Sequence, residues 1–293
     1  MPKFFRMTRQ QLVEQIFTKQ TYLCVGLDTD DTKLPAHLKG KPNAVLDFNK
    51  AIIDATLAHC VSYKINTAFY EAMGARGWEI MQETFAYIPK THLTIADAKR
   101  GDIGNTSHQY ARAFFEHMNV DAITVAPYMG EDSVRPFLEY EGKWTIVLGL
   151  TSNKGSENFQ RLKLAPSKEE LPLVPSVVSG DRSELLFEKV LETVSTWGTP
   201  GNLMFVAGAT QAHEFEHLRS IVPQHFLLVP GVGAQGGSLR DVSKYGMHNE
   251  CGLLVNASRA VIYASAGEDF AVAAQQIAQE YHEEMKQYLP QHG

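Results

Sequence analysis

Cysteine is scarce in this 293-residue chain, and the three present, Cys24, Cys60 and Cys251, lie far apart with no CxxC spacing. Nothing here resembles a disulfide framework or a thiolate metal knuckle. Two of the three sit inside apolar runs, where buried, inert thiols are expected. An odd count without staples suits a reducing compartment, and a cytoplasmic location is predicted. Basic excess is missing too: 27 Lys and Arg stand against 33 Asp and Glu, a formal net charge of -6. Nucleic-acid binding demands the opposite balance, so no nucleic-acid partner is expected. An anionic small ligand would have to rely on local positive groups. No apolar run approaches the ~18 residues of a membrane span. The opening Met1-Pro2-Lys3-Phe4-Phe5-Arg6 lacks the apolar core of a secretory signal. The expectation is a protein with no membrane partner. The 11 histidines show no ligand spacing: His282-Glu283-Glu284 lacks the second histidine of a zinc HExxH helix. His213 and His217 are predicted to share one exposed helix face, and no metal is assigned.

What the chain does have is a rhythm. Apolar residues make up 44% and charged residues 20%, enough for a full core. After an opening helix over Thr8 to Lys19, with Leu12, Ile16 and Phe17 at helical spacing and Thr8 as N-cap, one pattern recurs. A short apolar run is followed by a polar or Gly-rich turn and then an amphipathic helix. The runs are Tyr22–Leu27, Val61–Ile65, Leu93–Ala96, Ala122–Ala126, Trp144–Leu150, Leu203–Ala207, Phe226–Val229 and Leu253–Val255. Nearly continuous hydrophobicity marks strands buried on both faces. Helices fall between them, for example Leu185 to Trp197 with Gly198 as a predicted C-cap. Eight strand–helix units predict an α/β fold, a single-domain (β/α)8 TIM barrel spanning the chain. One connection is long: 154–180 carries Pro166, Pro172 and Pro175, too many for an ordinary helix. It reads as a lid or site wall leaving strand five, with a disordered insertion as the alternative.

Functional residue types crowd the C-terminal ends of the strands, which converge on one face in a barrel. The densest group is Asp97-Ala98-Lys99-Arg100-Gly101-Asp102, following Leu93–Ala96. Residues two apart on a strand point the same way, so Asp97 and Lys99 are expected to project together into the mouth. Asp102 cannot join them by alternation. It either arrives by a turn at Gly101 or acts across a subunit interface. A solvated rim network is the bland alternative, but charges directed inward are costly unless function needs them. A lysine among carboxylates keeps its charged form and suits proton donation rather than Schiff-base chemistry. A carboxylate beside it can repel an anionic group of a substrate and raise its ground state. Together these parts suit loss of CO2 with protonation of the carbon left behind. Lys64 is either a plain rim lysine or a further member that holds Asp97 ionised.

Two further motifs complete the mouth. Residues 231 to 236 of Pro230-Gly231-Val232-Gly233-Ala234-Gln235-Gly236-Gly237 formally match GxGxxG. A dinucleotide site expects an acidic residue at a strand end about 20 positions on, and Glu250 precedes a strand instead. A phosphate grip of Gln235, Gly236, Ser258 and Arg259, on the loops after strands seven and eight, accounts for the motif better. Arginine adds a forked cation for a phosphodianion. Thr151-Ser152-Asn153 at the end of strand five offers hydroxyl and amide groups to a heterocycle edge, or simply caps the next segment.

The run Asp97-Ala98-Lys99-Arg100-Gly101-Asp102-Ile103-Gly104-Asn105-Thr106 closely resembles the DxKxxD signature of orotidine 5'-phosphate decarboxylases, in their longer bacterial branch. Val25-Gly26-Leu27-Asp28, Tyr63-Lys64, Thr151-Ser152-Asn153, Pro230–Gly237 and Val255–Arg259 fall in the family's order, so the likeness runs from about residue 20 to 265. The resemblance implies cofactor-free decarboxylation of orotidine 5'-phosphate to UMP, the last step of pyrimidine synthesis. Lys99 would protonate C6 while Asp97 lies against the leaving carboxylate. Asp102 and Thr106 resemble residues given to the partner subunit's site, which implies a homodimer with a shared active site. Asp28 and Lys64 match ribose contacts, Ser152 the pyrimidine-edge contact, and Gln235 and Arg259 phosphate ligands. Lys154 and Ile65 depart from the pattern, each where proline is common. The alternatives are a metal-dependent sugar-phosphate decarboxylase bearing the same cluster and a non-catalytic phosphate-ligand binder. Loops at 154–180 and 231–240 are expected to move on closure.

Overall fold

The computed structural model describes residues 7–164, 184–233 and 236–290. Helix α1 (Arg9–Lys19) precedes β1 (Leu23–Gly26), α2 (Ala44–Thr56) and β2 (Ser62–Asn66). Helices α3 (Thr67–Glu71) and α4 (Ala75–Tyr87) lead to β3 (Leu93–Arg100), α5 (Gly104–Arg112) and β4 (Ala122–Val125). Then come α6 (Glu131–Leu138), β5 (Trp144–Leu150), α7 (Leu186–Ser195), β6 (Leu203–Ala207), α8 (Phe215–Ile221) and β7 (Phe226–Pro230). The chain finishes with α9 (Leu239–Gly246), β8 (Leu253–Ala257), α10 (Arg259–Ile262) and α11 (Phe270–Lys286).

The eight strands pair in chain order, all parallel, and β8 closes on β1. Every apolar run of the sequence becomes a strand. Residues of β1, β4, β6 and β8 are buried along their whole length, as strands walled by helices outside and packed side chains inside must be. A closed barrel also leaves no unpaired sheet edge. Bulky side chains such as Trp144, Phe205 and Phe226 are fully buried in this core.

The N-terminal ends of the strands are sealed by α1. Thr8 and Gln11 form a reciprocal capping box there, and Leu12 and Ile16 bury the inner face. Phe17 is only partly buried. The Trp144 indole N–H donates to the Met7 carbonyl at 2.8 Å, and Arg9 reaches Glu250 at 2.6 Å. The opposite, C-terminal end is thereby left open for chemistry.

Three expectations need correction. β3 runs on through Asp97, Lys99 and Arg100 instead of stopping at Ala96, because Asp97 still pairs with Asn66 and Arg100 with Val125, while the Arg100 side chain turns outward to Glu71, Tyr110 and Phe114. Gly198 is not a helix cap: α7 ends at Ser195, its cap residue Thr196 is right-handed, and Gly198 instead packs closely against Leu203. His213 and His217 share no exposed face. His213 lies in a short turn at 73% side-chain exposure, whereas His217, on α8, pairs with the buried Glu188 of α7. Of the long connection, Lys154–Asn158 forms a short 3-10 turn. Its two ends are tied by an antiparallel bridge between Lys163 and Leu185, with Leu164 N–H donating to the Glu184 carbonyl at 2.8 Å. The lid expectation for 165–180 lies outside the described residues. No helix among those described is long and apolar enough to cross a membrane.

Candidate active site

The signature on β3 is built around an irregularity. Ala96 pairs with Ile123 and Arg100 with Val125, so Asp97, Ala98 and Lys99 all lie opposite the single residue Thr124. A bulge of this kind bends the strand and re-aims its side chains. Lys99 absorbs the distortion in a left-handed backbone conformation with φ of 48°. Such a conformation is uncommon for a residue with a Cβ and costs ~1–2 kcal/mol. Asp97 and Lys99 do meet, with Lys99 Nζ donating to Asp97 Oδ1 at 2.6 Å. They meet through the bulge and not through plain strand alternation.

Four charged side chains form an alternating chain across the first three strands. Lys64 Nζ on β2 donates to Asp28 Oδ1, just beyond β1, and to Asp97 Oδ2, each at 3.2 Å. Asp28 also accepts from the backbone N–H of Asn66 at 3.2 Å. Lys64 and Asp97 are only 4% and 12% exposed, so Lys64 is no rim lysine, whereas Lys99 is 49% exposed. The lysine expected to be desolvated is therefore half open to solvent, and the buried cation is its neighbour. Burial works against the Asp97 carboxylate, yet Lys64 and Lys99, with hydrogen bonds from Lys99 and Thr124, hold its pKa down to about 2. For Lys64 burial favours the neutral amine, but Asp28 and then Asp97 outweigh it and the pKa moves up. Opposed charges at these distances keep both groups ionised in a dry place. The mouth thus holds a fixed anion, Asp97, and a half-open cation, Lys99, on one bulge.

Across the mouth the loop after β7 folds back on itself. Gly237 N–H donates to the Gly231 carbonyl at 3.1 Å, and Gly233 N–H to the Gly237 carbonyl at 3.0 Å. Gly233 and Gly236 have φ of 71° and 85°, a region that favours glycine, and a Cβ on Gly233 would stand 2.7 Å from the Tyr281 hydroxyl. Ser258 follows β8 and its hydroxyl donates to the Gly26 carbonyl at 3.0 Å. Arg259 opens α10, is exposed, and has no carboxylate partner among the described residues. Gly236 therefore lies on the loop after β7, and Ser258 and Arg259 follow β8, the adjacent strand. Gln235 lies outside the described residues.

Ser152 follows β5, next to a clamp. Thr151 N–H donates to Gln160 Oε1 at 2.8 Å, and Gln160 Nε2 returns a bond to Thr151 Oγ1 at 2.9 Å. Gly208, at the end of β6, lets the Ser152 backbone approach so closely that a Cβ would fall 2.6 Å from its nitrogen. Asp102 and Thr106 do not join this chain's own cluster. Asp102 Oδ1 accepts from Ile103 N–H at 2.7 Å, and Thr106 is exposed on α5. Ile103, next to Asp102, is 59% exposed, and Tyr128 and Met129 after β4 are 90% and 47% exposed, with Met129 approaching Gly101. A cavity of about 950 Å³ lies beside the Asp28 loop, lined by residues such as Phe69 and Met73, and none of the four charged groups lines it. Among the described residues no group of three or more His, Cys, Asp or Glu is placed to hold a metal ion. Sequence reasoning overlooked Thr124, hidden as one hydroxyl in an apolar run, and Gln160, which stands in the polar segment after strand five.

Comparison with known proteins gives a consistent picture. The model of the orotidine 5'-phosphate decarboxylase / HUMPS family matches residues 21–277. The chain is 53% identical over 288 residues to orotidine 5'-phosphate decarboxylase of Phocaeicola vulgatus, covering 97% of this chain and 100% of that protein. It is 54% identical over 271 residues to the Porphyromonas gingivalis protein of the same description, covering 92% of each. Among solved structures, Leishmania donovani OMP decarboxylase superposes with a TM-score of 0.74 at 33% identity, covering 94% of this chain and 97% of that one.

Proposed function

The chain belongs to the orotidine 5'-phosphate decarboxylase / HUMPS family, and from that premise we propose how its barrel mouth turns orotidine 5'-phosphate into UMP and CO2. The reaction needs no cofactor. The observation that carries this reading is the buried, ionised Asp97 held 2.6 Å from Lys99 Nζ. With the base ring over the mouth, the substrate carboxylate lies against Asp97, and like charges in a low-dielectric place raise the bound ground state. The C6–carboxylate bond breaks and CO2 leaves. The electron pair stays on C6 and takes a proton from Lys99 Nζ. Half exposure of Lys99 lets solvent return that proton.

Asp28 and Lys64 face the ribose, Ser152 the pyrimidine edge, and Gln235, Gly236, Ser258 and Arg259 the phosphate. Binding energy gathered at the phosphate then holds the reacting end in register, though it lies strands away from the bond that breaks. Asp102 and Thr106 serve the neighbouring subunit of a homodimer. The exposed apolar residues Ile103, next to Asp102, and Tyr128 and Met129, after β4, support that reading, since large exposed apolar side chains mark contact surfaces. The pathway is pyrimidine synthesis and the setting cytoplasmic.

An absorbance assay with orotidine 5'-phosphate, with and without EDTA, tests the activity. Turnover unaffected by chelator is expected. No turnover sinks the reading, and loss in EDTA points to the metal-dependent sugar-phosphate branch. Mixing inactive Lys99→Ala with inactive Asp102→Ala in equal amounts tests sharing: heterodimers carrying one intact site restore about a quarter of wild-type activity. A mixture as dead as its parts rules sharing out.

A further inference from the structure

We propose that Thr124 is a positioning residue for this decarboxylation, its hydroxyl locking Asp97 and Lys99 into their mutual geometry. The inference rests on the functional reading above and names a residue outside the signature. Thr124 sits on β4, fully buried, opposite the three bulged residues of β3. Its hydroxyl donates to Asp97 Oδ1 at 2.9 Å and accepts from the backbone N–H of Lys99 at 2.9 Å.

The direction of both bonds follows from donor chemistry. A backbone N–H can only donate, so it occupies a lone pair of the hydroxyl. The ionised carboxylate can only accept, so the single hydroxyl proton is committed to Asp97. The rotor has one setting, and it is the one that serves both catalytic groups. Its bond to Lys99 satisfies an N–H that the bulge has pulled out of the ladder and holds the left-handed backbone in place. Its bond to Asp97 adds a third donor to a carboxylate already shared by Lys64 and Lys99. A buried strand hydroxyl in this barrel does not always find such work: Thr145 Oγ1 on β5 has no hydrogen-bond partner among the described residues. Valine at position 124 would keep the shape and lose both bonds.

Thr124→Val and Thr124→Ser separate the hydroxyl from the packing. With orotidine 5'-phosphate, Thr124→Val is expected to lower kcat on the order of 10²-fold, the scale of an ångström of misplacement, with KM within about 3-fold. Thr124→Ser, which keeps both bonds, is expected within about 3-fold of wild type. Asp97 is faced by Lys64 from β2, Lys99 from its own strand and Thr124 from β4, with Asp28 behind Lys64. Loss of one donor moves the Asp97 carboxyl titration, followed by 13C NMR and assigned with Asp97→Asn, to higher pH. That readout stands apart from turnover: a wild type inactive on orotidine 5'-phosphate defeats the functional reading, while the titration still tests the placement. The proposal is overturned by a valine variant with unchanged kcat, by a serine variant no better than valine, or by an unmoved Asp97 titration. If the valine variant does not fold, Thr124→Ala carries the same comparison.

Discussion

The two sides of the barrel mouth are prepared to different degrees. On β1 to β4 every charged group already has its partner: Asp28, Lys64, Asp97 and Lys99 form one bonded chain, most of it buried. On β7 and β8 the described residues offer backbone loops, one hydroxyl and an exposed, unpaired Arg259. Preorganisation is useful where charge must be held against its own preference, as at the bond to be broken. A phosphate, by contrast, brings its own charge and can organise flexible donors around itself. On the proposed mechanism, the reacting side is therefore built by folding, and the phosphate side is left for the ligand to complete.

Variants can break this contrast. Lys99→Ala and Asp97→Ala should each lower kcat on the order of 10³-fold or more, because on the proposed mechanism each removes a group acting on the reacting carbon or its carboxylate. Steady-state kinetics with either variant at wild-type kcat would remove the reacting side from the picture. Lys64→Ala takes the buried cation away from Asp28 and leaves Asp97 with Lys99 as its remaining cation, and ~3–5 kcal/mol of folding stability should go with it. Urea unfolding that shows a loss below about 1 kcal/mol would mean that the network is only decoration. Arg259→Ala should leave stability unchanged and lower kcat/KM about 10- to 100-fold, the scale of a lost charged hydrogen bond. An unchanged kcat/KM refutes the phosphate assignment.

The smallest effect concerns pH. The carboxyl of Asp97 has a folded-state pKa of about 2, below its ordinary 3.8. Its contribution to stability, on the order of 2 kcal/mol, is present above that ordinary value and is lost as pH falls through about 2. Wild-type stability should therefore drop more steeply than that of Asp97→Asn between about pH 4 and 2, measured by urea unfolding at each pH. Equal slopes would show that the carboxylate is not stabilised by the fold.

How much of this the sequence disclosed depends on what each feature is made of. The barrel was fully legible, since strands buried on both faces must be apolar throughout, and all eight runs are strands. The DxKxxD signature announced itself as charge following an apolar run. Geometry was less visible. Nothing in the letters Asp97-Ala98-Lys99 says that Lys99 turns left-handed, because any residue type other than glycine leaves that choice to tertiary context. Burial of Lys64 was equally hidden: one lysine in an apolar strand has the same spelling at a rim or in a core. Thr124 was overlooked because its hydroxyl matters only through what the neighbouring strand places against it. Gly198 misled for the reverse reason, a glycine at a helix end that serves close packing and no cap.

The bulge in β3 has one more consequence, for how such an enzyme could be gained or lost. Four steps from Ala96 to Arg100 are matched by two from Ile123 to Val125, so β3 carries an even surplus of residues. Side chains alternate with a period of two, and removing an even number flips no downstream residue to the other face. Deleting Ala98 and Lys99 would restore a plain ladder, with Arg100 still opposite Val125 and the outer helices undisturbed. The proposed proton donor is thus carried by a two-residue insertion within a sound scaffold, a graft that heredity can add or subtract without rewriting the barrel around it.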